Sequence, residues 1–345
     1  LAFILIQSRA LFLAIFIFIF SFIFSYGNKL FKLKYLMFSF FLLLLIGSSF
    51  LLLNFDDNRG DALSSKIERT VNFKKSPRFH LFKSTSELIQ ENPIFGVGPG
   101  NWKIDIPKYN LYNNNTIEIK YSQGSLFAQR PHNDFLWITA ESGVFAGFVY
   151  VLVFLFLIIF SYNTRKHLSY QEKIFFTLLY STLIGYACIS FFDFPFERIS
   201  HNVFFSIISS IIIAKNIKSK DLKYDTVSIL VTGIFFILTL FIVYVGYLRH
   251  TGQVSVQQAK LFQSKKEWNS VVDEVSGAYH ASFFQIDNTA TPLPWLRGLA
   301  HFNNNNLDEA FKDFKESYLI NPNHIHVINN LATCYELKGE TNRAI

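Results

Sequence analysis

Apolar residues are concentrated in long blocks, and this pattern predicts helices that cross a membrane. A helix needs about 20 apolar residues to span the hydrocarbon layer. Five blocks approach that length and a sixth is shorter; they cover residues 10–26, 35–53, 144–161, 174–192, 227–248 and 202–214. Residues 1–248 are therefore predicted to form a polytopic bundle of transmembrane helices.

The polar loops between the blocks predict the orientation. Lysine and arginine predominate in the short loops 27–34, 163–173 and 215–224. Because cytoplasmic loops carry an excess of these residues, we place all three in the cytoplasm. The long loop 54–143 and residues 249–345 are then expected on the outer face of the membrane. The net charge of +7 gathers in short loops, so it indicates topology and we expect no nucleic-acid partner.

The region 249–345 is polar, helical in pattern and internally repeated. Two pairs of small residues are each spaced 34 residues apart, namely Gly298 and Ala332, and Ala310 and Ala344. This is the period of tetratricopeptide repeats, which bury their apolar faces by stacking. We predict an all-α fold in which the membrane domain is followed by such a solenoid, with a degenerate unit near 253–286. It is either a docking surface for a partner or a passive solubilising extension.

Both ends of the chain lie inside these patterns. Leu1 stands in apolar sequence and Ile345 in a helical repeat. We expect further spans before the first residue and further repeats after the last. The apolar N-terminus has no basic segment and no small-residue cleavage site, so we do not interpret it as a signal peptide.

Two segments of the outer loop have unusual composition. The run 66–83 contains Arg69 and Arg78 among its basic residues, with Glu68 as its only acid. It is either a solvated basic face, a phosphate site suited to the arginine fork, or a contact with lipid headgroups. The stretch "ENPIFGVGPGNW", residues 91–102, is typical of a compact turn and lacks the strand and helix of a dinucleotide site.

The stretch "QRPHNDFLWITAESGVFAGF", residues 129–148, brings Arg130 and His132 to the start of an apolar span. A histidine titrates near neutral pH, so His132 can act as a general base. The alternative is a polar helix cap, in which Asn133 or Asp134 binds the first amides. Asp134 or Glu141 could also orient the histidine. Gly143 and Gly147 form a Gly-x-x-x-Gly pair that favours close helix packing.

Taken in order, these segments resemble the bacterial O-antigen ligase and polymerase superfamily. The resemblance rests on "NPIFGVGPGNW" followed by "RPHNDFLWITAESGVFAG". It extends to "QSRA" (7–10), "SPRFHLFKSTSELIQENP" (76–93) and "FFDFPFERISHNVFF" (191–205), and covers residues 1–215. One departure is Phe82, where ligases often have tryptophan.

The resemblance implies a glycosyltransferase of the inner membrane. Such enzymes take a glycan from an undecaprenyl-diphosphate carrier on the periplasmic face and need neither a nucleotide sugar nor, in ligases, a metal or other cofactor. The acceptor is a lipid A core sugar, a protein hydroxyl in protein O-oligosaccharyltransferases, or another repeat unit in polymerases. By motif, the implied catalytic residues are Arg9, Arg78 and His132.

Further residues are candidates for substrate binding, and two other classes of function remain to be weighed. The candidates are Arg130, Arg69, Gly96, Gly98 and Gly100. A transporter of lipid-linked glycan is disfavoured because the predicted spans are nearly free of charged residues. A membrane-anchored scaffold acting through its repeats is the non-enzymatic alternative, and it leaves the arginine and histidine set without a role.

Overall fold

Helices make up the described part of the chain. The computed structural model describes residues 9–25, 77–109, 128–216 and 226–344. Over these ranges it contains no β-strand, which confirms the predicted all-α class. The predicted span 35–53 and Arg69 lie outside the described residues.

The helices have the following bounds. Those preceding residue 217 are α1 (Arg9–Ser25), α2 (Pro77–Glu91), α3 (Trp102–Asp105), α4 (Asp134–Thr164), α5 (Tyr170–Phe192) and α6 (Ile199–Asn216). Those that follow are α7 (Thr226–Ser264), α8 (Trp268–Ala278), α9 (Leu293–Asn303), α10 (Leu307–Ile320), α11 (Ile325–Leu337) and α12 (Thr341–Ala344). Single 3₁₀ turns at Arg165–His167 and Pro195–Glu197 precede and follow α5.

Three of these helices are long and apolar enough to cross a membrane. The qualifying segments are Asp134–His167, Tyr170–Phe192 and Ser228–Ser264. They contain the predicted spans 144–161 and 174–192 and all but the first residue of the predicted span 227–248. The apolar part of α1, Leu13–Ser25, is shorter. The chain divides into two compact units, one holding α1, α2 and α4 to α6 and the other holding α7 to α12.

In the first unit, α1 packs antiparallel to α5. The Tyr180 hydroxyl donates to the Ser21 carbonyl oxygen at 3.2 Å. Nearer the start of α1, a Cβ built on Gly185 would lie 3.3 Å from the Ala14 carbonyl oxygen. The two helices therefore run in opposite directions. As a result, the backbone of Arg9 lies at the same end of the pair as the C-terminus of α5.

The apolar faces of α4, α5 and α6 form a core in this unit. Its buried members are Leu157, Phe176, Leu179, Leu183 and Ile212. At the far end of α4, the guanidinium of Arg165 is buried beside the rings of Tyr162 and Tyr180. It donates to the Ser25 carbonyl oxygen and to the Thr177 hydroxyl, both at 3.3 Å. This side chain therefore ties together the ends of α1, α4 and α5.

Helix α4 begins well before the predicted span 144–161, and the helix is interrupted at Gly143. The sequence placed residues up to 143 in the outer loop, whereas the helix starts at Asp134. Gly143 has φ 86° and ψ 169°, which is far from helical geometry. The boundary between polar and apolar sequence therefore coincides with an interruption within the helix, whose start agrees with the cap predicted at Asn133 or Asp134.

In the second unit, successive helices pack in chain order. The buried core between α7, α8 and α9 includes Val256, Ala259 and Val275, and a further core holds Ala310 and Phe314. A Cβ on Gly298 would lie 2.9 Å from the Phe314 ring, so α9 and α10 approach closely there. The helical pairs agree with the predicted repeat pattern, and the tetratricopeptide assignment stays a prediction.

Candidate functional site

A glycine-rich turn fills the break in α4. We call residues 92–101 the glycine turn. The amide of Val97 donates to the Ala140 carbonyl oxygen at 3.0 Å, and the amide of Gly98 donates to that of Glu141 at 2.9 Å. Carbonyl groups at the end of a helix lack partners within it. The turn supplies those partners, so the break is satisfied by chain that lies about forty residues earlier.

The part of α4 that follows the break also forms a backbone hydrogen bond with the glycine turn. The Val144 amide donates to the Pro93 carbonyl oxygen at 2.8 Å. A Cβ on Gly143 would lie 1.9 Å from the Ile94 carbonyl oxygen, and one on Gly96 would lie 2.4 Å from the Glu141 carbonyl carbon. Neither position has room for a side chain. The two glycines are thus explained by a close approach of two backbones.

The remaining glycines of this region differ in their surroundings. Gly98 and Gly100 have φ of 93° and 82°, and a Cβ at Gly100 would meet nothing within 4 Å. A Cβ on Gly147 would lie 2.0 Å from the hydroxyl oxygen of Thr139, which precedes the break. The Gly143 and Gly147 pair therefore accommodates the glycine turn and Thr139. Substrate contact through Gly96, Gly98 and Gly100 stays a prediction.

Trp102 joins α2 to the first half of α4. Its backbone amide donates to the Glu141 carboxylate at 3.3 Å, and its indole Nε1 donates to the Thr85 hydroxyl at 3.1 Å. The side chain is fully buried. Helix α2, which carries Arg78 near its start, is consequently fixed to the helix that follows His132. Glu141 serves this junction and is not directed to the histidine.

His132 lies in a short segment that leads into α4. We call residues 130–133 the histidine loop. His132 has φ 56°, in the left-handed region that histidine visits more readily than most residues. The next residue, Asn133, caps α4 by accepting from the Leu136 amide at 3.0 Å. The cap predicted from the sequence is therefore Asn133, and its presence leaves the imidazole free of that role.

The imidazole of His132 faces a carboxylate at the C-terminal end of α5. We call residues 193–198 the acidic turn. The Nδ1 of His132 lies 3.6 Å from Oδ1 of Asp193, and the other oxygen of Asp193 accepts from Arg198 at 3.2 Å. Burial alone raises the pKa of Asp193, but the contacts with His132 and Arg198 outweigh it, and its pKa lies below the ordinary value. Asp193 is thus held as a carboxylate beside the histidine.

Three nitrogen-bearing side chains surround one phenylalanine ring in the acidic turn. The guanidinium carbons of Arg130 and Arg198 lie 4.7 and 4.9 Å from the centroid of Phe194. The His132 ring meets the same ring edge-on at 5.1 Å. Arg130 also forms a two-point ion pair with Glu197, with Nη2 to Oε1 at 2.8 Å. That hydrogen bond raises the pKa of Arg130 above its ordinary value.

Asp134, which follows the histidine loop directly, links that loop to the acidic turn. Its carboxylate is fully buried and accepts from the Phe196 amide at 3.0 Å. Asp134 therefore acts on the backbone of the turn, and Asp193 is the carboxylate that faces His132.

The arrangement of these side chains around His132 can do two things chemically. A carboxylate-backed imidazole can take up a proton, and nearby guanidinium groups can bind an anion.

The three residues expected to be catalytic are not all part of this cluster. His132 is at its centre. Arg78 is an exposed residue of α2, outside the contacts just described. Arg9 is the first residue of α1, and only its backbone is described. The antiparallel pairing of α1 with α5 brings that backbone to the end of the unit where α5 leads into the acidic turn.

A protein-family model matches the N-terminal part of the chain. Residues 1–151 match the family model described as O-antigen ligase. The matched segment is less than half of the chain, and it is similar to O-antigen ligases. Together with the apolar helices, this similarity indicates a membrane protein and points to glycan transfer in lipopolysaccharide and O-antigen biosynthesis. No curated protein and no solved structure matches the chain.

The matched segment includes the glycine turn and the histidine loop but ends before the acidic turn. Asp193, Glu197 and Arg198 were not among the predicted site residues. The stretch "FFDFPFERISHNVFF" is one of the motifs that carry the family resemblance, and its charged residues beside a proline are the available signal. What the sequence did not reveal was that this turn lies against His132, about sixty residues earlier.

Proposed function

We propose that this protein transfers a glycan from undecaprenyl diphosphate to an acceptor hydroxyl at the periplasmic face of the inner membrane. The single observation that supports this most is the His132 imidazole held 3.6 Å from Asp193 at the head of an apolar helix. The family match supports the same class of reaction. A lipid-linked donor and its acceptor both meet the enzyme at the membrane surface.

His132 is the general base in this proposal. Its Nδ1 is directed to Asp193, which leaves Nε2 to take the proton from the acceptor hydroxyl. The acceptor oxygen forms a bond to C1 of the sugar while the bond from C1 to the phosphate oxygen breaks. The electron pair of that bond leaves with undecaprenyl diphosphate. Attack from the side opposite the diphosphate inverts the anomeric centre.

Asp193 stabilises the imidazolium that forms during the reaction. A nearby carboxylate lowers the energy of the positive charge that the ring acquires when it takes the proton. The low pKa of Asp193 means that the carboxylate is charged throughout the neutral range. General-base catalysis of this kind contributes about 10²- to 10⁴-fold to the rate.

Arg78 and Arg9 are the proposed partners of the diphosphate. Negative charge grows on the leaving oxygen as the C1–O bond breaks, and a guanidinium group can bind two phosphate oxygens at once. A fixed donor at such a position contributes roughly 2.7–4 kcal/mol in comparable sites. Arg78 is exposed, as a residue that receives substrate from the membrane surface must be. A metal ion is not part of this mechanism.

The test is a glycan-transfer assay in membranes that contain the full chain. His132→Ala should reduce transfer to lipid A core by at least about 100-fold. His167→Ala is the matched control, because His167 is an exposed histidine beyond the other end of α4. Equal transfer by both variants, at equal amounts of inserted protein, would exclude the proposed base. Glycan chains that lengthen without reaching lipid A would assign the activity to a polymerase.

A further inference from the structure

The pair of arginines around Phe194 has a geometry that the proposed reaction does not yet use. Arg130 and Arg198 come from two separate segments and both stack on one ring. Their side chains are 36% and 45% exposed. Each is held by a single acid, Glu197 for Arg130 and Asp193 for Arg198. Two guanidinium groups are therefore presented at the surface within reach of one ligand.

We propose that Arg130 and Arg198 bind the two phosphate groups of the lipid carrier, and that Glu197 is a counter-ion which the diphosphate displaces. The inference rests on the proposed function, since it takes the same donor. It adds Arg198 to the binding residues and gives Glu197 an opposing role. Phe194 is the ring against which both guanidinium groups lie when no donor is bound.

The relative strengths of the contacts favour this exchange. The ion pair of Arg130 with Glu197 is exposed on both sides, and exposed pairs contribute only about 0–1 kcal/mol. The diphosphate as a whole offers more acceptor oxygens than a carboxylate and a higher charge, and each phosphate fits the guanidinium fork equally well. The acid therefore keeps Arg130 in place between turnovers and yields to the donor at little cost.

The alternative is that the ion pairs only hold the acidic turn against the histidine loop. The two interpretations predict opposite effects for Glu197→Gln. If Glu197 competes with the donor, its neutralisation frees Arg130 and strengthens donor binding. If Glu197 only holds the turn, its neutralisation loosens the site and weakens binding. The sign of one measured change thus separates them.

The experiment measures binding of glycan-free undecaprenyl diphosphate to the purified full chain in detergent, by microscale thermophoresis. Arg198→Ala should raise the dissociation constant on the order of tenfold. Glu197→Gln should lower it about two- to fivefold, which corresponds to the strength of an exposed ion pair. Glu172→Gln is the matched control, because Glu172 forms an exposed ion pair with Lys215 at the other end of α5. It should leave the dissociation constant unchanged.

Several outcomes would overturn the proposal. An unchanged or higher dissociation constant for Glu197→Gln, or an unchanged one for Arg198→Ala, would do so. Undecaprenyl monophosphate is the second probe, and an equal response to it would exclude recognition of two phosphate groups. If Arg198→Ala does not fold, Arg198→Lys and Glu197→Gln still separate the two interpretations. The readout is binding alone, so it is independent of whether His132→Ala abolishes transfer.

Discussion

A methyl group on Gly143 would lie 1.9 Å from the carbonyl oxygen of Ile94. The two residues belong to an apolar helix and to a turn far earlier in the chain, yet their backbones are in direct contact. This contact exists only because α4 is broken at that point. The break and the glycine turn are therefore one structural element, and each satisfies the backbone groups that the other leaves unpaired.

Gly143→Ala should displace the glycine turn from α4. The new side chain would require φ 86° and would collide with backbone, so we expect a destabilisation of about 1–3 kcal/mol at this junction. Hydrogen exchange of the Val97 and Gly98 amides should accelerate. Gly233→Ala is the control, since a Cβ there meets nothing within 4 Å in helix α7. Slow exchange of both amides in Gly143→Ala would contradict the close approach.

Glu141→Ala should loosen the connection between α2 and α4. The variant removes the acceptor of the Trp102 amide, a hydrogen bond of about 0.5–1.5 kcal/mol. Exchange of that amide should rise by about two- to tenfold, and glycan transfer should fall because α2 carries Arg78. Glu141→Gln keeps an oxygen acceptor and should behave nearly as the wild type. If Gln and Ala have equal effects, the carboxylate charge rather than the hydrogen bond is what matters.

Asp193→Asn should lower the turnover number of glycan transfer by at least about tenfold without raising KM. The amide is close in size to the carboxylate but cannot stabilise a protonated imidazole. The measurement is the rate at saturating donor in membranes with matched protein levels. The double variant Asp193→Asn, His132→Ala tests whether the two act together, because it should be no slower than His132→Ala. Additive losses would show that Asp193 works through another group.

The second unit should lose stability in acid through Asp287. Its buried carboxylate accepts from the Thr291 amide at 2.9 Å and pairs with Lys260 at 2.9 Å. Burial alone raises its pKa, but the hydroxyl of Thr289 and the charge of Lys260 prevail, and the pKa of Asp287 is below its ordinary value. The stabilisation is therefore complete above the unfolded pKa and is lost as pH falls through the folded value.

Asp287→Asn should remove this dependence and cost about 1–3 kcal/mol at neutral pH. The measurement is hydrogen exchange of the Thr289 and Thr291 amides as a function of pH, corrected for the intrinsic rate. Asp308→Asn is the control, because the Asp308 side chain is 86% exposed and its ion pair is screened by water. A wild type and an Asp287→Asn variant with the same acid sensitivity would assign that sensitivity to other carboxylates.

The sequence predicted features that depend on local composition. The apolar blocks around 144–161 and 174–192 gave α4 and α5, because the thickness of a bilayer sets the length of an apolar run. The cap at Asn133 was predicted from its capping chemistry, and the role of His132, which its motif indicates, stays a prediction. The predicted span 227–248 lies within α7, and the helix continues beyond it to Ser264. The switch from apolar to polar residues therefore marks the end of the apolar run and not the end of the helix.

Features that depend on distant contacts could not be predicted. The break at Gly143 requires the glycine turn to supply hydrogen-bond partners, and no local pattern shows which carbonyl groups they reach. The same holds for Asp193, whose importance comes from lying against His132. A Gly-x-x-x-Gly spacing predicts helix packing, but at Gly143 the neighbour is a turn. The sequence indicated the chemistry of each segment, but it did not indicate which segments pack against each other.

The length of α7 has a mechanical consequence. Its 39 residues extend about 58 Å at 1.5 Å per residue, whereas the hydrocarbon layer is about 30 Å thick. Val256 and Ala259 near its end are buried in the core with α8 and α9. One continuous rod thus serves as both membrane segment and scaffold of the second unit. Because α7 is continuous from Thr226 to Ser264, a tilt that the lipid imposes on its apolar half also changes the orientation of α8 and α9.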